Sequence, residues 1–379
     1  MEGRPRAQIA GLAGSAHSIM NRFIGRLALQ QRVLPTYRAP FFDLLASSCD
    51  GGMSLFTGLP RASEGIATTD QLTIAKYQTG KNIHLFGGSL YLCYQQGLMN
   101  WLKEWNPDAL IVEANPRYLS TSSAVKWMHA QDKPVIGWGL GAPPVSGLRE
   151  KRRIGFLQQF DAMIAYSQRG ADEYASYGFP LDRLFVAHNS VSPSPTWEMP
   201  NRPDAFGDRP CVLFVGRLQF RKNVDLLIGA CAEIQDVRLV IVGDGPEREA
   251  LEELAAEIYP SAEFAGAKHG EELQALFAEA DLFVLPGTGG LAVQEAMSYG
   301  LPVIVAQGDG TQDDLVRKEN GWQIPPDDFE ALVSTMKDAL SDVARLRRMG
   351  EESFRIVKEE INIGKMVDVF VTALNSTGE

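Results

Sequence analysis

The run Leu282–Val305, LFVLPGTGGLAVQEAMSYGLPVIV, leaves this chain few folds to choose from. Leu282–Leu285 is an apolar block of strand length, Gly287–Gly290 is a glycine-rich turn, and Leu291–Tyr299 has helical spacing. Gly300 stops the helix, and Val303–Val305 begins a second apolar strand. Such a strand–loop–helix–strand unit belongs to an α/β domain. A glycine-rich loop opening onto a helix lets backbone approach a ligand closely, and the free amides and partial positive charge of the helix start suit phosphate. Glu295, about one turn into the helix, is placed to accept hydrogen bonds from vicinal hydroxyls such as those of a ribose. The same residues also suit an ordinary βα turn in which Glu295 only complements the helix dipole.

The order Pro-x(3)-Gly-Leu-x(3)-Glu-Ala-Met-x(2)-Gly-x-Pro-Val-Ile resembles the donor-binding signature of the family 4 retaining glycosyltransferases. The resemblance implies that the helix amides take the phosphates of a nucleotide sugar and that Glu295 holds the ribose. One position departs from the pattern. The family usually has a second acidic residue eight positions before the glutamate, where it contacts the donor sugar, and this chain has Gly287 there.

At 379 residues the chain exceeds one typical domain, and two or three are expected. Its apolar share of 45% and charged share of 22% are those of a globular protein and exclude a disordered one. Cys49, Cys93, Cys211 and Cys231 have no metal-ligand spacing, the histidines are scattered, and reduced core cysteines in a cytoplasmic protein are expected, with no bound metal. No apolar run is long enough to span a membrane, and the first residues lack a secretory signal pattern. The net charge of −11 is unevenly spread: residues 1–200 hold 19 Lys and Arg against 15 Asp and Glu, so the acidic excess lies in the rest. A basic first half suits an anionic acceptor or the anionic inner face of a membrane, and an acidic second half argues against nucleic acid as a partner.

Along the chain, residues 1–21 are weakly patterned and expected to form an arm or an extra helix. RLALQQRVL is a strand candidate, and Phe41–Ser48 a helix entered through Pro40. The loop between them would put Tyr37 and Arg38 near the acceptor if the two-domain resemblance holds. Met53–Thr57 is read as a strand, Arg61–Asp70 as a surface loop on the acceptor side, and Leu90–Glu104 as a helix with its aromatic residues in the core. Asp108–Glu113 is a buried strand. Functional residues of open α/β sheets gather beyond strand C-termini, which makes Glu113, Asn115 and Arg117 candidates, with a Glu113–Arg117 ion pair as the structural alternative. Many members of the resembled family carry a histidine at the position of Glu113, a second departure. Ser122–Gln131 is a helix and Pro134–Gly141 a strand whose Trp138 packs in the core or lines the cleft. Lys151, Arg152 and Arg153 open a basic helix suited to a lipid headgroup or a solvated face. Asp161–Tyr166 is a strand, Gln168–Tyr177 a helix and Leu184–Val191 a strand, whose VAHNSV, with Asn189 and Ser190, resembles the end of the first domain in the same family.

Ser192–Pro210 is proline-rich and aperiodic, a linker. CVLFVGRLQFRKNVDLLIGAC then reads strand, loop, helix, and resembles the family's phosphate clamp at Gly216, Arg217 and Lys222. Two fixed cations suit a nucleoside diphosphate leaving group, because negative charge builds on it as the bond to the sugar breaks. Arg forks onto phosphate oxygens and Lys acts as a point charge. Gly243-Asp-Gly-Pro-Glu-Arg248 matches a further family turn, and the short edge strand Ala262–Gly266 leads into Ala267-Lys268-His269, whose counterpart in the family binds the base through backbone groups.

The expected fold is α/β, two doubly wound Rossmann-like domains facing across a cleft in the GT-B arrangement. The expected division is an acceptor-binding domain over 1–193, a linker over 194–209, a donor-binding domain over 210–360, and a last helix from about 361 to 379 that crosses back. The resemblance implies transfer of a hexosyl unit from a nucleotide diphosphate sugar, a UDP-sugar being favoured, to a hydroxyl on a polysaccharide or lipid-linked glycan, with retention and without metal or other cofactor. Arg217, Lys222 and Glu113 are the expected catalytic residues. Gly216, Gly243, Gly266, Lys268, Thr288, Gly289, Gly290, Leu291 and Glu295 are expected to bind the donor. The departures at Gly287 and Glu113 keep open a non-catalytic nucleotide-sugar-binding subunit, and a nucleotide-sugar epimerase is a third possibility. A cytoplasmic protein, peripheral on the inner membrane face, would fit the lipid-linked acceptor.

Overall fold

The computed structural model describes residues 22–289, 291–308 and 310–378. The segment 1–21, where an arm or helix was expected, and Gly290, expected to bind the donor, lie outside the described residues.

The first sheet is built from β1 (Leu27–Val33), β2 (Met53–Gly58), β3 (Lys76–Thr79), β6 (Ala109–Glu113), β7 (Val135–Gly139), β8 (Ala162–Ala165) and β9 (Leu184–Val186). β4 (Lys81–Leu85) and β5 (Leu92–Gln96) form a separate antiparallel hairpin. The second sheet contains β10 (Cys211–Val215), β11 (Arg238–Val242), β12 (Glu263–Gly266), β13 (Leu282–Leu285), β14 (Val303–Ala306) and β15 (Gly321–Ile324). The first runs β3-β2-β1-β6-β7-β8-β9 and the second β12-β11-β10-β13-β14-β15, parallel throughout. Strands such as Cys211–Val215 and Ala162–Ala165 are apolar along their whole length because helices cover both faces of a parallel sheet. In each sheet the strand order reverses direction once, between β1 and β6 in the first and between β10 and β13 in the second. Crevices open at the C-terminal ends of strands at such reversals.

Helices α1 (Ala39–Ser47), α2 (Leu98–Trp105), α3 (Thr121–His129), α4 (Leu148–Leu157) and α5 (Gln168–Ser176) belong to the first domain. The second has α6 (Val224–Ile234), α7 (Arg248–Ile258), α8 (Glu271–Glu279), α9 (Leu291–Ser298), α10 (Thr311–Leu315), α11 (Phe329–Leu340) and α12 (Val343–Arg355). The last helix, α13 (Ile363–Ser376), starts where the Asn362 side chain accepts the Lys365 amide at 2.9 Å, a side-chain cap. It buries Met366, Val367, Phe370, Val371 and Leu374 in the core of the first domain. There Phe370 lies 5.0 Å from the Phe41 ring and 4.9 Å from that of Trp138, both edge-on, so Trp138 is a core residue. Burial of each such side chain contributes about 1.5–3 kcal/mol, which anchors α13 on the first domain.

The helix expected over Leu90–Glu104 is a correction. Leu92–Gln96 is a strand, Gly97 turns the chain at φ +99°, and only Leu98–Trp105 is helical. Cys93 and Gln95 point inward while Leu92, Tyr94 and Gln96 point out, a period of two that overlaps the helical spacing of the apolar residues. Likewise β9 ends at Val186, and His188–Ser190 cross toward the second domain as irregular chain. The four cysteines are buried and unpaired. Among the described residues no helix is long and apolar enough to cross a membrane.

Candidate active site in the cleft

The second-domain half of the site lies at the β10/β13 reversal. β13 runs into Pro286-Gly287-Thr288-Gly289, and α9 follows from Leu291. This loop rests on the segment after β10: the Thr288 amide donates to Arg221 O at 2.9 Å. A Cβ at Gly287 would lie 2.3 Å from Arg221 O and 2.5 Å from the Lys222 carbonyl carbon, so the backbone of one loop fills the space that any side chain would need. The departure from the acidic pattern at Gly287 thus has a packing reason.

Lys222 is 9% exposed and donates from Nζ to Thr288 O at 2.7 Å and Gly289 O at 3.4 Å. Burial, reinforced by the neighbouring Arg221 guanidinium, lowers its pKa to about 8. Arg221 Nη1 donates to Thr288 O at 3.2 Å, so both side chains bind the loop that opens α9. Gly216 and Gly243 stack the neighbouring turns: Gly216 N donates to Val242 O at 2.9 Å, and Gly243 N to Gly266 O at 2.8 Å. At Gly243, φ is +141° and a Cβ would meet Gly216 O at 1.9 Å, so only glycine fits. Lys268 is engaged with Glu272 at 2.7 Å on the surface.

Glu295 sits on α9, half-buried, and its carboxylate has no hydrogen-bond partner among the described residues. Burial raises its pKa, and His269 on the loop after β12 opposes that rise. An under-bonded carboxylate one turn into the helix is suited to accept two hydroxyl donors.

Arg217 leaves the second domain altogether. Its Nη1 donates to Gly65 O at 2.9 Å, on the loop of the first domain that follows β2. The domains also meet where Asp314 Oδ2 accepts the Gln168 amide at 3.0 Å and pairs with His188 Nδ1 at 3.1 Å. Arg169 reaches Gly308 O at 3.3 Å.

The first-domain half lies at the β1/β6 reversal. Glu113 ends β6, but its two oxygens are occupied: Oε2 accepts the Arg32 amide and Oε1 the Tyr118 hydroxyl, each at 2.9 Å. Desolvation raises its pKa against these hydrogen bonds. The alternative pairing with Arg117 does not occur, since Arg117 is exposed and its amide turns back on Asn115 Oδ1 at 3.1 Å. In this arrangement Glu113 fixes the end of β1 and the turn at Tyr118. Arg32 in turn pairs with Glu64 at 2.8 Å; burial would raise the Glu64 pKa, but hydrogen bonds from Arg32 and Arg61 outweigh it and hold it low. Arg61 stacks over the Tyr91 ring at 4.7 Å, and Tyr91 meets His84 Nδ1 at 2.9 Å. Burial lowers the His84 pKa, and Arg32 adds to this.

Arg32, Glu64, His84 and Tyr91 were not singled out in the sequence, although Glu64 falls in the Arg61–Asp70 loop assigned to the acceptor side. Arg38 is a correction of the opposite kind. It is buried, donates to Ser190 O at 3.2 Å and to Asn189 Oδ1, and touches Met366 of α13, so it ties the domain crossing to the first domain instead of facing an acceptor. Tyr37 beside it is exposed. Lys151 and Arg152 are exposed on α4, while Arg153 turns back to Pro143 O and to the Tyr177 ring.

Residues 195–355 match the family described as glycosyl transferases group 1. A GDP-mannose-dependent alpha-mannosyltransferase of Corynebacterium glutamicum is 34% identical over 284 residues, 68% of this chain and 65% of the relative. Another of the same name from Mycobacterium tuberculosis is 40% identical over 176 residues, 45% of each. The chain thus spans less than two thirds of the length of these relatives. The crystal structure of Anabaena Alr3699/HepE in complex with UDP superposes with a TM-score of 0.69 at 16% identity, covering 93% of this chain and all of that one, and shows the shared fold.

Proposed function

We propose, from the match of residues 195–355 to the glycosyl transferases group 1 family and from the GT-B fold, that this chain transfers a hexosyl unit from a nucleotide diphosphate sugar to a hydroxyl acceptor. The observation that carries this reading is the convergence of Lys222, the start of α9 and the under-bonded Glu295 at the strand-order reversal of the second sheet. The α9 amides and Lys222 would hold the diphosphate, and Glu295 the ribose hydroxyls. Arg217 would turn from Gly65 O to the phosphate on which charge builds as the glycosidic bond breaks. Lys222 and the repositioned Arg217 then supply the counter-charge, and the reaction needs no metal. Retention at the anomeric carbon follows the resemblance to the family.

The names of the two relatives favour GDP-mannose as the donor over the UDP-sugar expected from the sequence. The acceptor, a glycan or a lipid-linked glycan, would enter from the first domain beside the Arg32–Glu64 pair and His84. An acceptor carried on lipid would place the protein peripherally at the inner face of a membrane.

The test is incubation of the purified protein with GDP-mannose and a panel of UDP- and ADP-sugars, with chelator present, scoring free nucleotide and product. Release from one donor, unchanged by chelator, is expected. Binding with no release when acceptors are supplied would identify a binding subunit, and an isomerised donor an epimerase.

A further inference from the structure

The β4–β5 hairpin is built inside out. Its inner face is polar: Gln95 is 1% exposed and bonds Gln30, Asn82 and Gln31 O, while His84 bonds Tyr91. Its outer face carries the apolar residues. Ile83 pairs across the strands with Tyr94 and Leu85 with Leu92, and Ile83, Leu85 and Tyr94 are exposed. At the tip Phe86 and Leu90 are 72% and 71% exposed. Phe86 also has φ +60°, a left-handed conformation that a bulky residue adopts only under strain, and it holds the ring in water.

A neighbouring segment widens the face. Cys93 N donates to Arg117 O and Leu119 N to Cys93 O, both at 2.9 Å, so residues 117–119 run alongside β5. Tyr118 is buried there, which turns Arg117 and Leu119 outward. Its charge is of one sign. Lys81 lies on the outer face of β4, and no Asp or Glu occurs between Gln71 and Lys103 or between Ala114 and Gln131, in a chain whose net charge is −11. The nearby carboxylates Glu64 and Glu113 are bound to Arg32 on the inner side.

We propose that this face docks on an anionic lipid bilayer, with Phe86 and Leu90 entering the headgroup boundary and Lys81 and Arg117 meeting lipid phosphates. Exposed apolar side chains flanked by cations with no carboxylate among them fit that surface, since both hydrophobic insertion and charge attraction favour it. The loop over Arg61–Gly65 touches both the hairpin, through Arg61 and Tyr91, and the second domain, through Gly65 and Arg217, so the docked face lies beside the cleft. The inference extends the lipid-linked acceptor reading and takes its purpose from it, but it is measured without donor or turnover, so either can fail alone.

The experiment is co-sedimentation of the full chain with vesicles of phosphatidylcholine alone and of phosphatidylcholine mixed with phosphatidylglycerol. Binding to the mixed vesicles, weakened by salt, is expected, with at least a tenfold loss for Phe86→Ser/Leu90→Ser and a comparable loss for Lys81→Glu/Arg117→Glu. The substituted side chains lie in water, so the melting temperature should not fall, and retained thermal unfolding separates lost docking from lost fold. No binding by the wild type, or equal binding by the Phe86→Ser/Leu90→Ser variant, overturns the proposal. So does a wild-type dimer in solution that this variant makes monomeric, which would assign the face to a second copy of the chain.

Discussion

Gln294 on α9 donates from Nε2 to Ser190 Oγ at 2.7 Å, joining that helix to the chain as it crosses from the first domain. The same amide nitrogen reaches Ile361 O at 2.7 Å, where the chain crosses back, and Oε1 accepts Val191 N at 3.0 Å and Ser192 N at 3.2 Å. One buried side chain thus satisfies groups on both connections between the domains, one residue before Glu295. Gln294→Leu keeps the volume but leaves several buried polar groups unpaired, each at a cost of about 1–3 kcal/mol. Partial relaxation would leave a net loss of about 2–4 kcal/mol, read as a lower denaturant midpoint. An unchanged midpoint would mean that the crossings find other partners.

Lys222, in its proposed role, should make nucleotide binding depend on pH. Its folded pKa of about 8 lies below the ordinary value of 10.5, so folding alone disfavours its charged form, and the unfolded chain binds more protons between about pH 8 and 10.5. The contribution of this residue to stability therefore rises as pH rises through that window. A bound diphosphate acts in the opposite direction by favouring the ammonium form. Nucleoside diphosphate affinity should then fall above about pH 8, approaching tenfold per pH unit, with proton uptake on binding seen by calorimetry in buffers of different ionisation enthalpy. Lys222→Met should bind more weakly and lose this slope; a slope that persists in the variant assigns the proton elsewhere.

The parts of this architecture legible in the sequence are those where one local pattern sufficed. The glycine-rich turn between the apolar blocks at Leu282 and Val303 could only be a βα unit, because burial on both faces demands continuous apolar strands. β5 was misread as helix because its period of two overlaps the helical spacing and its buried side includes polar Gln95 while Tyr94 faces out, the reverse of the usual signal. Glu113 was found as a strand-end acid, but its partners Arg32 and Tyr118 are set by tertiary packing. Gln294, a polar residue among the buried positions of α9, carries no sign in sequence that two distant chain segments converge on it.

Gly287 tests whether the missing acid is a packing requirement. Gly287→Asp places a Cβ 2.3 Å from Arg221 O, and both neighbouring contacts are backbone, so the loop carrying Lys222 must move. Overpacking of this kind costs about 1–3 kcal/mol. The variant should melt lower and bind nucleoside diphosphate more weakly, because Lys222 is displaced from the start of α9. Unchanged melting with higher turnover would show instead that the site accepts a carboxylate and lacks one for a catalytic reason.

Glu295, in its proposed role, should separate recognition of the ribose from recognition of the phosphates. Its carboxylate is half-buried and under-bonded, and burial already raises its pKa, so two hydroxyl donors would compensate a charge that the fold leaves poorly solvated. A hydrogen bond to a charged group contributes about 1.5–3 kcal/mol, so Glu295→Gln should weaken binding of a nucleoside diphosphate about tenfold or more. Binding of the matching 2′,3′-dideoxy nucleotide, which lacks both hydroxyls, should be little changed by the same substitution. Because the raised pKa favours the neutral acid, wild-type discrimination between the two nucleotides should also shrink as pH falls through the carboxyl range. Competition binding with both nucleotides on both proteins closes the cycle. Equal losses for the two nucleotides would remove Glu295 from the ribose and leave it a role in placing α9.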